Sequence, residues 1–263
     1  MNNSNSKLRR WPGIMSRIAL VLAIVAILTL ILAGPGYRMN LLPLLPALLM
    51  TAVGFVLFIP ALLFGIIGHV ACRRNSLATS RSGVVVIFIA AFATALTIFW
   101  ATRLNSAPPI HEVSTDLENP PVFIDVIPLR LASGALNPPE YINTQSMGED
   151  ELDVSAAQRK SYPDIQPLIL EKPPSAVVPL VEQAVKDLGW DLVASDADEG
   201  RVEATDTTLY FGFKDDIVVR VRAHESGSRV DVRSKSRIGV GDAGANAHRI
   251  QAFLAELGKL AAK

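Results

Sequence analysis

Three uncharged apolar runs occupy most of the first hundred residues, and they limit what this chain can fold into more than anything after them. Ile18 to Ala33, Leu41 to Cys72 and Gly83 to Thr102 contain no Asp, Glu, Lys or Arg. A helix rises about 1.5 Å per residue, so roughly 20 apolar residues cross ~30 Å of hydrocarbon. The pattern predicts a membrane domain over residues 1–102 with three transmembrane helices, at about 16–36, 42–70 and 83–102. The first run is short and takes in Met15 and Tyr37 at its ends, with Gly34-Pro35-Gly36 reading as a turn. The second is long enough to tilt. Its Pro43 and Pro46 suit a first turn, whereas Pro60 lies mid-span, where a kink is expected.

Charge is divided between the two parts of the chain. The formal net charge is zero, with 25 basic and 25 acidic residues. Residues 1–100 hold Lys7, Arg9, Arg10, Arg17, Arg38, Arg73, Arg74 and Arg81 and no acidic residue, so the remainder is net acidic. Seven of those eight flank the start of the first span or the connection between the second and third. The positive-inside rule then places both in the cytoplasm, and three crossings leave the C-terminal part outside. An acidic domain on that side of a membrane excludes nucleic acid as a partner. Half of the chain is hydrophobic and 19% charged, which excludes intrinsic disorder. Cys72 is the single cysteine, at the inner end of the second span, so no disulfide joins the outer part. His69 shares its helix face, but two ligands make no metal site. On the third span, Ala90, Ala91, Ala93 and Ala95 would allow close helix contacts.

Residues 103–161 are rich in Pro, Ser, Asn and acidic groups and show no period, which predicts a stalk partly wrapping the domain that follows. Within it, His111 to Val126 carries enough apolar residues to dock, Leu131 to Asp153 reads as exposed, and a short helix is allowed around Asp150–Lys160. From residue 162 the periods sharpen. Ile165–Leu170 reads as a strand, and Ser175 caps a helix bearing Val177, Val181, Ala184, Val185 and Leu188 that Gly189 stops. Strands follow at Trp190–Val193, Arg201–Thr205, Ile217–Ala223 and Arg229–Ile238, with Leu209–Phe213 a continuation or a separate short strand. Asp242 caps a last helix with Ile250, Phe253, Leu254 and Leu257 on one face. The expected domain, 162–263, is α+β: an antiparallel sheet of four or five strands with two helices on one face.

Ser226-Gly227 reads as a two-residue hairpin loop. That register sets Val219, Val221 and Ala223 against Ser234, Val232 and Val230 on the helix-covered face. The other face then pairs Arg222 with Asp231, Arg220 with Arg233, Val218 with Lys235 and Asp216 with Arg237. Like charges opposite one another are unfavourable unless an anion joins them. Two readings stay open. Arg220, Arg222, Arg233, Lys235 and Arg237 form an internal ion network with residues such as Glu203, or a platform for an anionic ligand, a lipid headgroup or an envelope protein. Asn246 and Arg249, on the last helix, are placed to reach toward Arg237 or Asp216. The candidate binding residues are therefore Arg220, Arg233, Lys235, Arg237, Asp206, Asp216, Asn246 and Arg249.

Signals for catalysis and cofactors are weak. Gly239 to Asn246 is glycine-rich before a helix, but no Lys-Ser/Thr follows and Asp242 occupies the anion position, so it is neither a Walker loop nor a dinucleotide fingerprint. No cofactor and no metal are predicted. Asp206, Asp215 and Asp216 keep an envelope hydrolase open as an alternative, beside a purely structural subunit of a membrane complex.

Several motifs together resemble one family. They are Ser114-Thr115-Asp116, Asn119-Pro120-Pro121 with Phe123, Tyr162-Pro163-Asp164, Leu188-Gly189-Trp190, Thr205-Asp206-Thr207-Thr208, Phe211 to Asp216, and above all Val230 to Arg249. These resemble the domain-of-unknown-function 1499 family over about residues 108–260, and every fixed position of its RSxSRxGxxDxGxN run is met between Arg233 and Asn246. The resemblance implies a bacterial envelope protein anchored by several N-terminal spans. It brings no reaction, ligand or catalytic residue.

Overall fold

The computed structural model describes residues 3–75, 81–147 and 150–263. The chain divides into two compact units, a largely helical one of Met1–Leu104 with Tyr210–Gly212, and a mixed one of Asn105–Leu209 with Phe213–Lys263; the last residues of α3 run into the second.

The helical unit holds α1 (Asn3–Arg38), α2 (Leu44–Arg74) and α3 (Arg81–Ser106). Each contains a stretch long and apolar enough to span a membrane: Trp11–Arg38, Leu44–Arg74 and Gly83–Thr102. α1 is longer than expected, because Gly34-Pro35-Gly36 continues the helix instead of turning it. The chain turns later, at Asn40, which has a left-handed φ of 59°. α2 runs through Pro60 without a break. Small residues bring α1 against α2. Ala19, Ala23 and Ala26 of α1 and Ala61 of α2 share an apolar cluster with Phe58 and with Val86, Ala90 and Ala93 of α3, while Ala91 and Ala95 face outward. With lipid tails as apolar as leucine, close backbone approach and not hydrophobicity holds such helices together. Thus Gly65 meets Ile87, and Gly68 lies against Ser16 and the Pro12 carbonyl. This is a membrane protein.

The second unit runs β1 (Glu112–Ser114), α4 (Ile127–Ala132), β2 (Thr144–Met147), β3 (Asp150–Asp153), α5 (Val154–Ser161), β4 (Leu168–Leu170), α6 (Pro174–Asp187), β5 (Asp191–Asp196), β6 (Arg201–Thr207), β7 (Lys214–His224), β8 (Gly227–Ser236) and α7 (Ala245–Ala261). Its antiparallel sheet has six strands, ordered β1-β8-β7-β6-β5, with β4 beside β1 on the outer edge of β8. The α+β class with two helices on one face is as expected; β1 raises the strand number, and it lies in the Pro-rich segment. A separate hairpin, β2–β3, stands where an irregular exposed segment was predicted. Residues 208–213 form the β6–β7 connection and no strand: the Thr208 N–H donates to the Phe213 carbonyl (2.8 Å), and the Phe213 N–H to the Thr208 hydroxyl (2.8 Å).

Strand alternation gives the sheet two unlike faces. Val202, Ala204, Ile217, Val219, Val221, Val230 and Val232 face α6 and α7, against Val177, Val181, Val185, Ile250, Phe253 and Leu257. Trp190 stacks on Phe253 with ring centroids 5.8 Å apart. α6 begins one residue before the predicted Ser175 cap, on Pro173-Pro174, whose fixed φ suits a first turn. It ends at Gly189 (φ 73°): the Gly189 N–H reaches the Lys186 carbonyl and the Trp190 N–H the Val185 carbonyl. α7 begins at Ala245 behind Gly244, and Asp242 serves its start from two residues further back, accepting from the Gly244 (2.7 Å) and Asn246 (3.0 Å) N–H groups.

The β7–β8 register differs by two residues from the predicted one. The loop is Glu225-Ser226, Glu225 takes the left-handed φ of 49°, and Gly227 is the first residue of β8. Gly227 is glycine for another reason: a Cβ there would lie 2.0 Å from the Leu170 carbonyl oxygen of β4. A slip of two preserves each face but changes every partner. Arg220 faces Asp231, Arg222 faces Arg229, Val218 faces Arg233, and Asp216 faces Lys235.

Candidate functional site

The second face of the sheet carries most of the residues singled out above. It is roofed by the chain from residue 116 to 143. Phe123 and Val126 pack on Val218, together with Val193 from a bulge in β5. The roof is also bonded down: both oxygens of buried Glu203 accept from its backbone, Oε1 from Ile124 N–H (2.8 Å) and Oε2 from Val126 N–H (2.9 Å).

Under it, the charges are paired within the chain. Asp216, fully buried, accepts from Arg130 of α4 (2.5 Å), from Arg237 (2.7 and 2.9 Å) and from the Thr205 hydroxyl (2.7 Å). Arg233, 1% exposed, is bonded to Glu112 and donates to the Pro121 (3.0 Å) and Pro139 (2.8 Å) carbonyls, with its guanidinium 4.6 Å from the Phe123 ring centroid. Lys235 donates to Glu112 (3.0 Å) and to the Glu140 carbonyl (2.6 Å). Burial holds the Arg233 and Lys235 values below their usual ranges, and Glu112 acts against that. Nearby, burial pushes the Tyr141 phenol up to about 12. At the edge, Arg201 bonds Asp125, Glu199 and Glu203.

Asp206, Asn246 and Arg249 are on the opposite, helix-covered face. Asp206 and Asp215 are direct cross-strand neighbours, and Arg249 bridges them at 2.8 and 2.7 Å. Asn246 accepts from Ser234 (2.6 Å) and Arg249 (2.8 Å) and donates to Ser236 (2.9 Å). The expectation that Asn246 and Arg249 reach Arg237 or Asp216 is therefore corrected. Asp215 and Asp216 are consecutive in a strand and point to opposite sides of the sheet, and α7 lies on the Asp215 side.

The Arg220 end of the polar face is different, because it opens to solvent. Arg220, Arg222 and Arg229 converge on two carboxylates, Asp231 and Asp116. Asp116 is held by its own loop, its Oδ1 accepting from the Glu118 (3.2 Å) and Asn119 (2.9 Å) N–H groups. Three guanidiniums on two carboxylates leave one positive charge in excess. Arg222 and Arg229 are 43% and 33% exposed, so this charge is accessible. Arg229 and Asp116 form part of a cleft of about 590 Å³, whose other walls are residues 117–119 and the segment from Gln158 to Pro167, with Arg159 and Tyr162. Gln158 fixes one wall: its amide accepts from Ser114 N–H (3.0 Å) and donates to Ser114 C=O (2.6 Å), as a neighbouring strand would. Among the described residues, no group of three or more His, Cys, Asp or Glu side chains converges as a metal set would.

Residues 112–257 match the family described as "Protein of unknown function (DUF1499)". The chain belongs to this family. The DUF1499 match begins at the first residue of β1 and ends within α7, so it takes in the whole roof, the sheet, α6 and α7 as far as Leu257. No curated protein matches the chain. The polar network of this DUF1499 domain includes Arg233, Ser234, Lys235, Ser236, Arg237 and Asn246 of its longest motif, which explains the motif physically: alternate residues serve the two faces of one strand. Sequence reasoning missed Glu112, Asp116, Arg130, Arg159 and Arg229. Arg130 and Glu112 lie in a stretch without periodicity, and their partners are 86 and 121–123 residues away.

Proposed function

We propose that the protein is a membrane-anchored binding module of the bacterial envelope, taking a ligand with an acidic group in the cleft beside Arg229. The positive excess of Arg220, Arg222 and Arg229 over Asp116 and Asp231 carries this reading. Among the described residues of the polar face, it is the part where partly exposed cations outnumber their carboxylates. The deeper members of the predicted platform, Arg233, Lys235 and Arg237, support the site by holding its roof. A partly solvated guanidinium pair binds carboxylate or phosphate with little desolvation cost. Among the other residues lining the cleft, Arg159 offsets Glu118, so the excess stays at one positive charge, and Tyr162 adds an aromatic surface.

The same reading places the N-terminus and the 73–82 connection in the cytoplasm, since Lys7, Arg9, Arg10, Arg17, Arg73, Arg74 and Arg81 cluster there in sequence. The cleft then faces the outer side of the inner membrane, where its ligand is an envelope molecule or an acidic segment of a partner protein.

The test is native mass spectrometry of the full-length protein purified in mild detergent. Arg229→Gln leaves two guanidiniums on two carboxylates, so the fold should survive while the excess charge is gone. The expected result is an anionic adduct on the parent protein that is lost in Arg229→Gln without a change in unfolding temperature. An adduct indifferent to that substitution, or none in either protein, contradicts the proposal.

A further inference from the structure

We infer that the helical unit carries its own site for an anionic phospholipid, in a groove between the start of α1 and the end of α2. The groove encloses about 400 Å³ and is lined by Trp11, Ile66, Ile67, Val70, Ala71, Arg74 and Asn75. Ile67, Val70, Ala71 and Arg74 fall at i, i+3, i+4 and i+7, one stripe along α2. α1 supplies the opposite wall, because Gly68 permits contact with Ser16 and Pro12 there. Trp11, Ile67 and Val70 are each more than a third exposed, so the apolar wall is open from the side.

Among the described lining residues, Arg74 and Asn75 supply the polar side chains at one end. Asn75 is committed to the helix terminus, donating its side-chain amide to the Ala71 carbonyl (2.8 Å). That leaves Arg74, exposed, as the charged group at the lip. Residues 1–100 contain no carboxylate to neutralise it, and Arg73 precedes it. An acyl chain fits the aliphatic wall, and a phosphate fits the guanidinium one turn above. Basic pockets between transmembrane helices recognise anionic headgroups in this way, and a tryptophan at the interface anchors such a boundary. Choline or ethanolamine lipids share the acyl chains but are zwitterionic, so Arg74 makes the site selective for net anionic lipid such as phosphatidylglycerol.

Trp11 is a built-in probe of the site. Full-length protein is placed in phosphatidylcholine bilayers containing an equal small fraction of either phosphatidylglycerol or phosphatidylcholine brominated in its acyl chains. Brominated phosphatidylglycerol should quench more of the tryptophan emission than brominated phosphatidylcholine. Arg74→Gln should reduce that preference about five-fold, the worth of one basic side chain near an anionic surface, and Trp11→Phe should abolish it. Equal quenching by the two lipids overturns the inference. So does a preference undiminished by Arg74→Gln or retained in Trp11→Phe, since it would belong to general annular lipid.

Discussion

Glu112 of β1 lies directly across from Lys235 of β8, and its carboxylate is shared between the Lys235 ammonium, at 3.0 Å, and the buried Arg233 guanidinium. One anion beneath the roof thus neutralises part of two buried cations, and backbone carbonyls of Pro121, Pro139 and Glu140 supply the remaining bonds.

Removing that anion should be costly. Glu112→Ala leaves Arg233 and Lys235 buried without a carboxylate, and breaking a buried ion pair costs about 3–5 kcal/mol. Replacing all three residues together by Leu, Met and Met should cost much less, because no charge is stranded. Thermal unfolding of the full-length proteins in detergent distinguishes the two; equal losses would mean the ion set itself stabilises the fold.

Two glycines should respond in opposite directions. Gly227→Ala puts a methyl 2.0 Å from the Leu170 carbonyl oxygen, so β4 must separate from β8, and Leu168 and Leu170 lose packing on the core. Gly258, in α7, has nothing within 4 Å of an added Cβ, so Gly258→Ala should stabilise by about 0.5–1 kcal/mol through helix propensity. Unfolding midpoints of the two variants, one below and one above the parent, are the expected outcome.

Acidification should weaken the domain through His111. Burial, and then the nearby Lys235 ammonium, hold its imidazole below the ordinary 6.5, with Glu112 acting the other way. Above 6.5 the native and unfolded chains are both neutral at this residue. Between 6.5 and the depressed native value the unfolded chain binds a proton that the native one does not, so stability falls as pH is lowered through that window. The parent should lose more unfolding temperature between pH 7.5 and 5.5 than His111→Gln does. Parallel pH profiles would refute the assignment.

The sequence makes the membrane helices, the α+β class and the two faces of the hairpin legible, because each rests on a local period. Val219, Val221, Val230 and Val232 alternate cleanly, and that alternation survives a register error of two. What it hides is set by distant partners. β1 and α4 have no period of their own; Ile124 and Val126 are ordered by Glu203, 77–79 residues on, and Arg130 by Asp216. Gly227 looks like a turn residue in the sequence, which shifts the expected hairpin register by two, while its missing side chain makes room for β4. Burial of the Arg233 platform follows from the roof, so it was as illegible as the roof itself.

The most direct test is hydrogen exchange across residues 117–131 of the full-length protein, read peptide by peptide. A roof bonded to Glu203 and Asp216 should protect Ile124 and Val126 as strongly as the amides of β7 and β8. Exchange at the rate of an unstructured tether would contradict the account, expose the sheet face, and return Arg233, Lys235 and Arg237 to the surface as an open anion platform.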